Sequence, residues 1–332
     1  MISRSIVVLV AGTVLSAACG RGPGGGGAAT GDGEPVANDV PSSAPAESPP
    51  GPDSVRILRD LAVLAHDSME GRATGTPGGD RARSFVSRAL AEAGAQPIGG
   101  PSLEHPFTWG EDGAGGVNVI GIIPGSGETI IVLSAHFDHV GIRDGEIYNG
   151  ADDNASGTAA VLEIARLAAR STLESTLVIA LFDAEERGLQ GARAFVADPP
   201  LPLPQGTLNV NLDMVSRSDG VLWAAGAFHT PALRPILEAV APGAPVDLRL
   251  GHDRPNAPEG DDWTGSSDHG PFHDAGFPFV YFGVEDHPDY HRPSDDVERV
   301  DPGELVASVR TIYEALLALD AALPLVESGP RE

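Results

Sequence analysis

The sequence predicts an α/β fold with a mostly parallel, mixed central sheet and helices on both faces. Three observations predict it. Apolar, β-branched runs alternate with amphipathic stretches through the later part of the chain. Three of those runs, Thr129–Ala135, Thr176–Phe182 and Leu208–Leu212, read as buried strands. Imidazoles and carboxylates follow all three directly, and folds of this class hold their active sites at strand ends.

Taken in order, Val55–Ala65 carries apolar side chains at Val55, Ile57, Leu58, Leu61, Val63 and Leu64, and Gly79–Gly94 carries Phe85, Val86 and Leu90 among Arg and Glu. Both read as amphipathic helices. The stretch between them, Asp67 to Gly79, is a Gly-rich turn region whose glycines serve chain geometry. Thr129–Ala135 is then a strand, Ser156–Arg170 a helix, Thr176–Phe182 a strand, Gly188–Ala197 a helix, and Leu208–Leu212 and Phe279–Val284 strands. A closing helix runs from about Pro302 to Leu323. The Pro-rich Asp198–Gln205 and the polar Gly251–Ser267 are loops, the second long enough for a functional rim. There is no internal repeat.

With 332 residues and 41% hydrophobic content, the chain can bury one large core, and residues 54–325 are expected to form a single domain. A net charge of −26 with every cation an Arg argues against a nucleic-acid partner, which needs a basic face to neutralise phosphates. Met1–Cys19 has a charged start at Arg4, an apolar stretch and three small residues before the only cysteine, the layout of a secretory signal. The chain is therefore expected to be an exported bacterial protein, either a cell-envelope lipoprotein lipidated on Cys19 or a secreted one, touching membrane only through that lipid. Gly20–Asp53 reads as a disordered tether and 326–332 as a flexible tail. The acidic surface suggests a monomer.

Five segments carry the chemistry: His136-Phe137-Asp138, Asp152-Asp153-Asn154, Asp183-Ala184-Glu185-Glu186, Asn211-Leu212-Asp213 and Tyr290-His291. His136 stands past a strand, and Asp138 two positions on can hold its ring through the second nitrogen; His139 lacks such a pattern and reads as a loop residue. Asp, Asn and Ser at 152–156 open a helix as ordinary caps do, but a two-oxygen carboxylate there also bridges metals about 3.5–4 Å apart. Of the acids at 185 and 186, one can ligate a metal while the other moves a proton. Asp213 closes a strand where a charge must be exposed or ligating. Each segment alone has an ordinary structural use; their joint occurrence in this order indicates a two-metal hydrolytic site.

In these segments the chain resembles the di-zinc exopeptidases of metallopeptidase family twenty-eight, which include secreted bacterial aminopeptidases; the resemblance covers roughly Asp60 to Leu319. It implies a zinc-aminopeptidase three-layer sandwich (phosphorylase/hydrolase-like), peptide substrates and two Zn2+, with Mn2+ or Co2+ as substitutes. Carried over by position, His136 and Asp213 bind one zinc, Glu186 and His291 the other, and Asp153 bridges both. Glu185 is the general base, Asp138 the partner of His136, Tyr290 a phenol stabilising the oxyanion, and Asp153-Asn154 a candidate cis peptide. Ser266-Ser267-Asp268-His269 also matches a family segment, without a ligand role. The resemblance implies an aminopeptidase. A carboxypeptidase or dipeptidase using Arg217, Arg249, Arg254 or Arg292 on the substrate carboxylate, a glutaminyl cyclase, and a catalytically inactive cell-surface binding protein are the alternatives. Trp263, Phe272, Phe277 and Phe279 are the candidates to line the pocket for the first substrate side chain.

Overall fold

The computed structural model describes residues 51–325 apart from 111, 256, 257, 259 and 260. The expected signal segment, the tether up to residue 50 and the tail 326–332 lie outside the described residues. Helix α1 (Ser54–Leu64) starts where the Asp53 carboxylate accepts the amides of Val55 and Arg56, so Asp53, expected in the tether, belongs to the folded part. Helix α2 (Pro77–Glu92) starts from a Thr76 cap with Pro in its first turn. Next come the edge hairpin β1 (Glu104–Trp109) and β2 (Ala114–Ile123), the buried strand β3 (Ile130–His136), and a small hairpin of β4 (Gly141–Arg143) and β5 (Glu146–Tyr148).

Helix α3 (Gly157–Ala168), strand β6 (Thr176–Phe182), helix α4 (Gln190–Ala197) and strand β7 (Leu208–Leu212) follow. Strand β8 (Val221–Ala225), helix α5 (Leu233–Val240), strand β9 (Asp247–Leu250), helix α6 (His269–Asp274) and strand β10 (Phe279–Gly283) lead to the closing helix α7 (Pro302–Ala322).

The eight-stranded sheet has the order β1-β2-β6-β3-β7-β10-β8-β9. Four of its seven pairings are parallel and three antiparallel, so it is mixed with a parallel centre, as the alternating pattern predicts. Side chains alternate between its faces. On β3, Ile131, Leu133 and Ala135 enter the larger core, shared with α1, α2, α3, α5 and α7, while Val132 enters a smaller one with Phe195 of α4 and Phe272 of α6. Each of the larger of these side chains, Ile, Leu, Val and Phe, contributes roughly 1.5–3 kcal/mol when fully buried. This double cover makes the three-layer sandwich. Among the described residues no helix is long and apolar enough to cross a membrane.

Candidate metal centre

Strands β3 and β7 run parallel with Ser134 opposite Asn211, so their ends meet and carry His136 and Asp213 together. His136 Nε2 lies 3.2 Å from Asp213 Oδ1 and 3.5 Å from Asp153 Oδ1. The other ring nitrogen is 3.2 Å from the Asp138 carbonyl oxygen and 3.7 Å from the Asp138 carboxylate. A second group forms on the far side of Asp153: His291 Nε2 is 3.0 Å from Asp153 Oδ2 and 3.3 Å from Glu186 Oε1. His139 Nδ1 sits 2.7 Å from the same Glu186 oxygen and 3.8 Å from Asp153 Oδ2. Asp153 thus turns one carboxylate oxygen toward each group.

The loops bearing these donor side chains are tied down by polar contacts inside the protein. Asp295 accepts the amides of Asp152 and Asp153. Asn154 donates to the Leu212 carbonyl and accepts from Gly157 and Met214, fastening the Asp153 loop to the end of β7. Asp152 accepts both the amide and the hydroxyl of Ser216. The Asp138 carboxylate accepts the amides of Glu185 and Glu186 at 3.0 and 3.4 Å, so its strongest contacts hold the Glu-Glu turn, beside the ring-holding role expected for it.

Arg72 is completely buried. Its guanidinium donates to the carbonyls of Leu64, Phe137, Asn149, Gly150 and Asp153. One cation therefore gathers the backbone of the His136 loop and of the Asp153 loop, and burial lowers its pKa only to about 10, leaving it charged at neutral pH.

The electrostatics fit cations. Burial lifts Glu185 well above the usual carboxylate range, with Asp268, Asp213 and Asp138 adding to it and His136 opposing. Asp268 is buried with neither carboxylate oxygen hydrogen-bonded, and burial pushes it to about 8. Burial alone would depress the imidazole of His136, yet Asp213 and Glu185 override it and hold it well above its ordinary value. Contacts to Asp153 and Glu186 raise His291 to about 10. Two groups of donors, His136, Asp153, Asp213 and His139, Asp153, Glu186, His291, each have their atoms within 4.8 Å of one another. So many buried carboxylates around so few imidazoles call for positive charge, and oxygen and imidazole donors suit a divalent first-row ion.

Comparison with known proteins gives a match to the family model described as Peptidase family M28 over residues 118–316. The chain belongs to peptidase family M28. Among the curated relatives of this M28 chain, aminopeptidase YwaD of Bacillus subtilis (strain 168) is 31% identical over 202 residues, covering 56% of this chain and 41% of the relative. The probable leucine aminopeptidase of Arthroderma otae is covered over 54% of its length, so the chain spans about half the length of the curated relatives it matches. The zinc aminopeptidase BSAP of Bacillus subtilis superposes with a TM-score of 0.64 at 17% identity, over 81% of this chain and 95% of that one. Bacteroides thetaiotaomicron glutaminyl cyclase superposes with a TM-score of 0.65 at 20% identity, over 81% and 99%. At these identities the likeness is one of fold.

In the M28 chain the eight residues singled out from sequence gather at the ends of the parallel strands. Tyr290 is half-buried, its ring stacked on His291 at 4.1 Å. Asp153-Asn154 is cis. The side-chain pocket candidates fare differently. Phe272 packs in the smaller core with Phe182 and Phe195, and Phe277 and Phe279 lie at the start of β10, opposite the ligand end. Their aromatic character reflects core packing. Trp263 stacks on His252 at 3.8 Å beside Tyr281, within the expected rim loop.

Of the arginines considered for a substrate carboxylate, Arg217 is paired with Asp289 at 2.7 Å and Arg249 with Asp247 at 2.6 Å. Sequence reasoning missed His139 and Arg72 as parts of the site. Alternation places His139 opposite His136 only while the chain stays extended; β3 ends at His136, and the backbone then swings His139 back.

Proposed function

We propose that the chain is a metal-dependent exopeptidase, most specifically an aminopeptidase releasing N-terminal amino acids from peptides at a two-zinc site. The observation that carries this reading is Asp153 set between two donor groups, one oxygen toward each, with Glu185 alongside. The names of relatives and of structural neighbours, aminopeptidases and a zinc aminopeptidase, agree with it.

In this reading His136 and Asp213 would hold one ion, Glu186 and His291 the other, and Asp153 would serve both. Ions held there would supply Lewis acidity toward a carbonyl oxygen and a water molecule. The protein's own groups do the rest. Glu185, raised above the usual carboxylate range, takes the proton from the attacking water and passes it to the departing amine. The Tyr290 phenol, pushed up by burial and by Asp153, stays protonated and donates to the developing oxyanion. Asp138 keeps Glu185 in place through its backbone amide. Arg217 is engaged by Asp289 and Arg249 by Asp247, so a carboxypeptidase reading would rest on Arg254 or Arg292 to hold the substrate carboxylate.

The test uses zinc-loaded protein and free-amine aminoacyl nitroanilides beside N-acetylated and free-carboxylate substrates. Cleavage of the free-amine set alone, lost at least about a hundredfold in Glu185→Gln with metal content unchanged, is the expected result. Release of C-terminal residues, or cyclisation of N-terminal glutamine without peptide cleavage, would move the assignment to the carboxypeptidase or cyclase reading. Export and lipidation of Cys19 are part of the same proposal, tested by fractionating cells and labelling with a fatty acid.

A further inference from the structure

The second donor group contains one imidazole more than the resemblance assigns to it. The side chain of His139 is fully buried; Nδ1 is in contact with the Glu186 carboxylate, and Nε2 makes no hydrogen bond. Nδ1 lies 2.7 Å from Glu186 Oε1, a buried oxygen that the His291 ring also faces. A buried imidazole nitrogen and a buried carboxylate oxygen this close must share either a proton or a cation. The remaining separations in the group are 3.0 and 3.3 Å from His291 Nε2 to Asp153 and Glu186, and 3.8 Å from His139 Nδ1 to Asp153. Donors around a tetrahedral zinc with bonds near 2.0–2.1 Å stand about 3.3–3.4 Å apart, and these distances bracket that spacing.

The place of the ring is built into the chain. Gly150 has φ +55°, and a Cβ there would stand 2.5 Å from His139 Cδ2 and 2.6 Å from Cγ. The Gly150 carbonyl is one of those held by Arg72. The ring also meets His291 edge-on, with centroids 5.7 Å apart.

We propose that His139 is a protein ligand of the second metal, so that this ion is held by His139, Asp153, Glu186 and His291 while the first has only His136, Asp153 and Asp213. The inference rests on the metallohydrolase reading above. Its chemical content is that the two sites are unequal. Two imidazoles with two carboxylates suit zinc, cobalt or nickel, whereas one imidazole with two carboxylates also accepts manganese.

The test is made on the full chain stripped of metal and reloaded with zinc or cobalt. X-ray absorption at the zinc edge should count about three imidazoles per two zincs, an average of about 1.5 per ion. His139→Gln should drop this to about one per ion and weaken one of the two equivalents in a calorimetric titration by about a hundredfold or more, leaving the other unchanged. An average of about one imidazole per ion in the unaltered chain, a count that needs no variant, overturns the proposal. Wild-type affinity for both equivalents in a folded His139→Gln overturns it as well. If the unaltered chain binds neither ion, the metallohydrolase reading itself fails and this inference with it.

Discussion

Asp153 is the residue on which both donor groups depend, because each of its oxygens faces a different one. An amide at this position has one oxygen acceptor and carries no charge. Asp153→Asn is therefore expected to keep the fold and bind no more than one zinc per chain, measured by elemental analysis after gel filtration. Retention of two ions would show that the bridge is dispensable. Gly150 tests the same region through the backbone: its left-handed φ is costly for other residues, and a Cβ there would stand 2.0 Å from the Asp153 carbonyl oxygen. Gly150→Ala should cost about 2 kcal/mol or more of stability in chemical denaturation and lower zinc occupancy. A variant as stable and as fully loaded as the parent would contradict the packing described.

At the scale of elements, the site sits where strand and loop meet, and that junction decides how much could be read from sequence. His136, Glu186 and Asp213 stand at or just past strands whose continuous apolar character marks them as central, so their spatial neighbourhood follows from parallel pairing. Strands β8 and β9 left no comparable signal, being short and at or next to the sheet's edge, with Trp223 only partly covered and Arg249 exposed. Helix α5 carries Pro235, which blurs its periodicity. Arg72 was unreadable for a different reason: its partners are backbone carbonyls, which every residue has, and no side-chain pattern records them.

The contact between α1 and α3 makes a separate prediction. Glu163 of α3 is buried and receives Arg56 at 2.8 Å and Arg166 at 3.4 Å, and it also accepts the amide of Asp53. Removing one partner of a buried pair leaves charge without compensation. Glu163→Ala should destabilise the fold by about 3 kcal/mol in urea titration, discounted toward about 2 because Arg56 keeps some solvent, with zinc binding per folded molecule unchanged. A loss of zinc affinity in the folded variant would instead tie this network to the metal centre.

Over the whole molecule, a chain of net charge −26 concentrates buried acids around one end of its sheet, so the folded state should hold divalent cations in a way the unfolded chain cannot. Ligand present at a hundred times its dissociation constant stabilises by about 2.7 kcal/mol, or roughly 5–10 °C in a domain of this size. Chelator treatment should lower the melting temperature by that amount and zinc should restore it, while magnesium, which prefers oxygen donors and retains its water, should restore less. Equal melting with and without zinc would mean that the buried acids are neutralised by protons instead.

Arg72 bears on how much chain the site requires. The family match begins at residue 118, and every proposed ligand lies within it, yet the guanidinium that gathers the Phe137, Asn149, Gly150 and Asp153 carbonyls comes from upstream. A protein cut at the start of the matched region would retain all the proposed ligand side chains but lose, along with α1, α2 and β1, the internal brace that sets two of their loops. Fragments trimmed to the family boundary are therefore expected to fold poorly and to bind zinc weakly although every proposed ligand is present, because the match leaves out the Gly71-Arg72 turn.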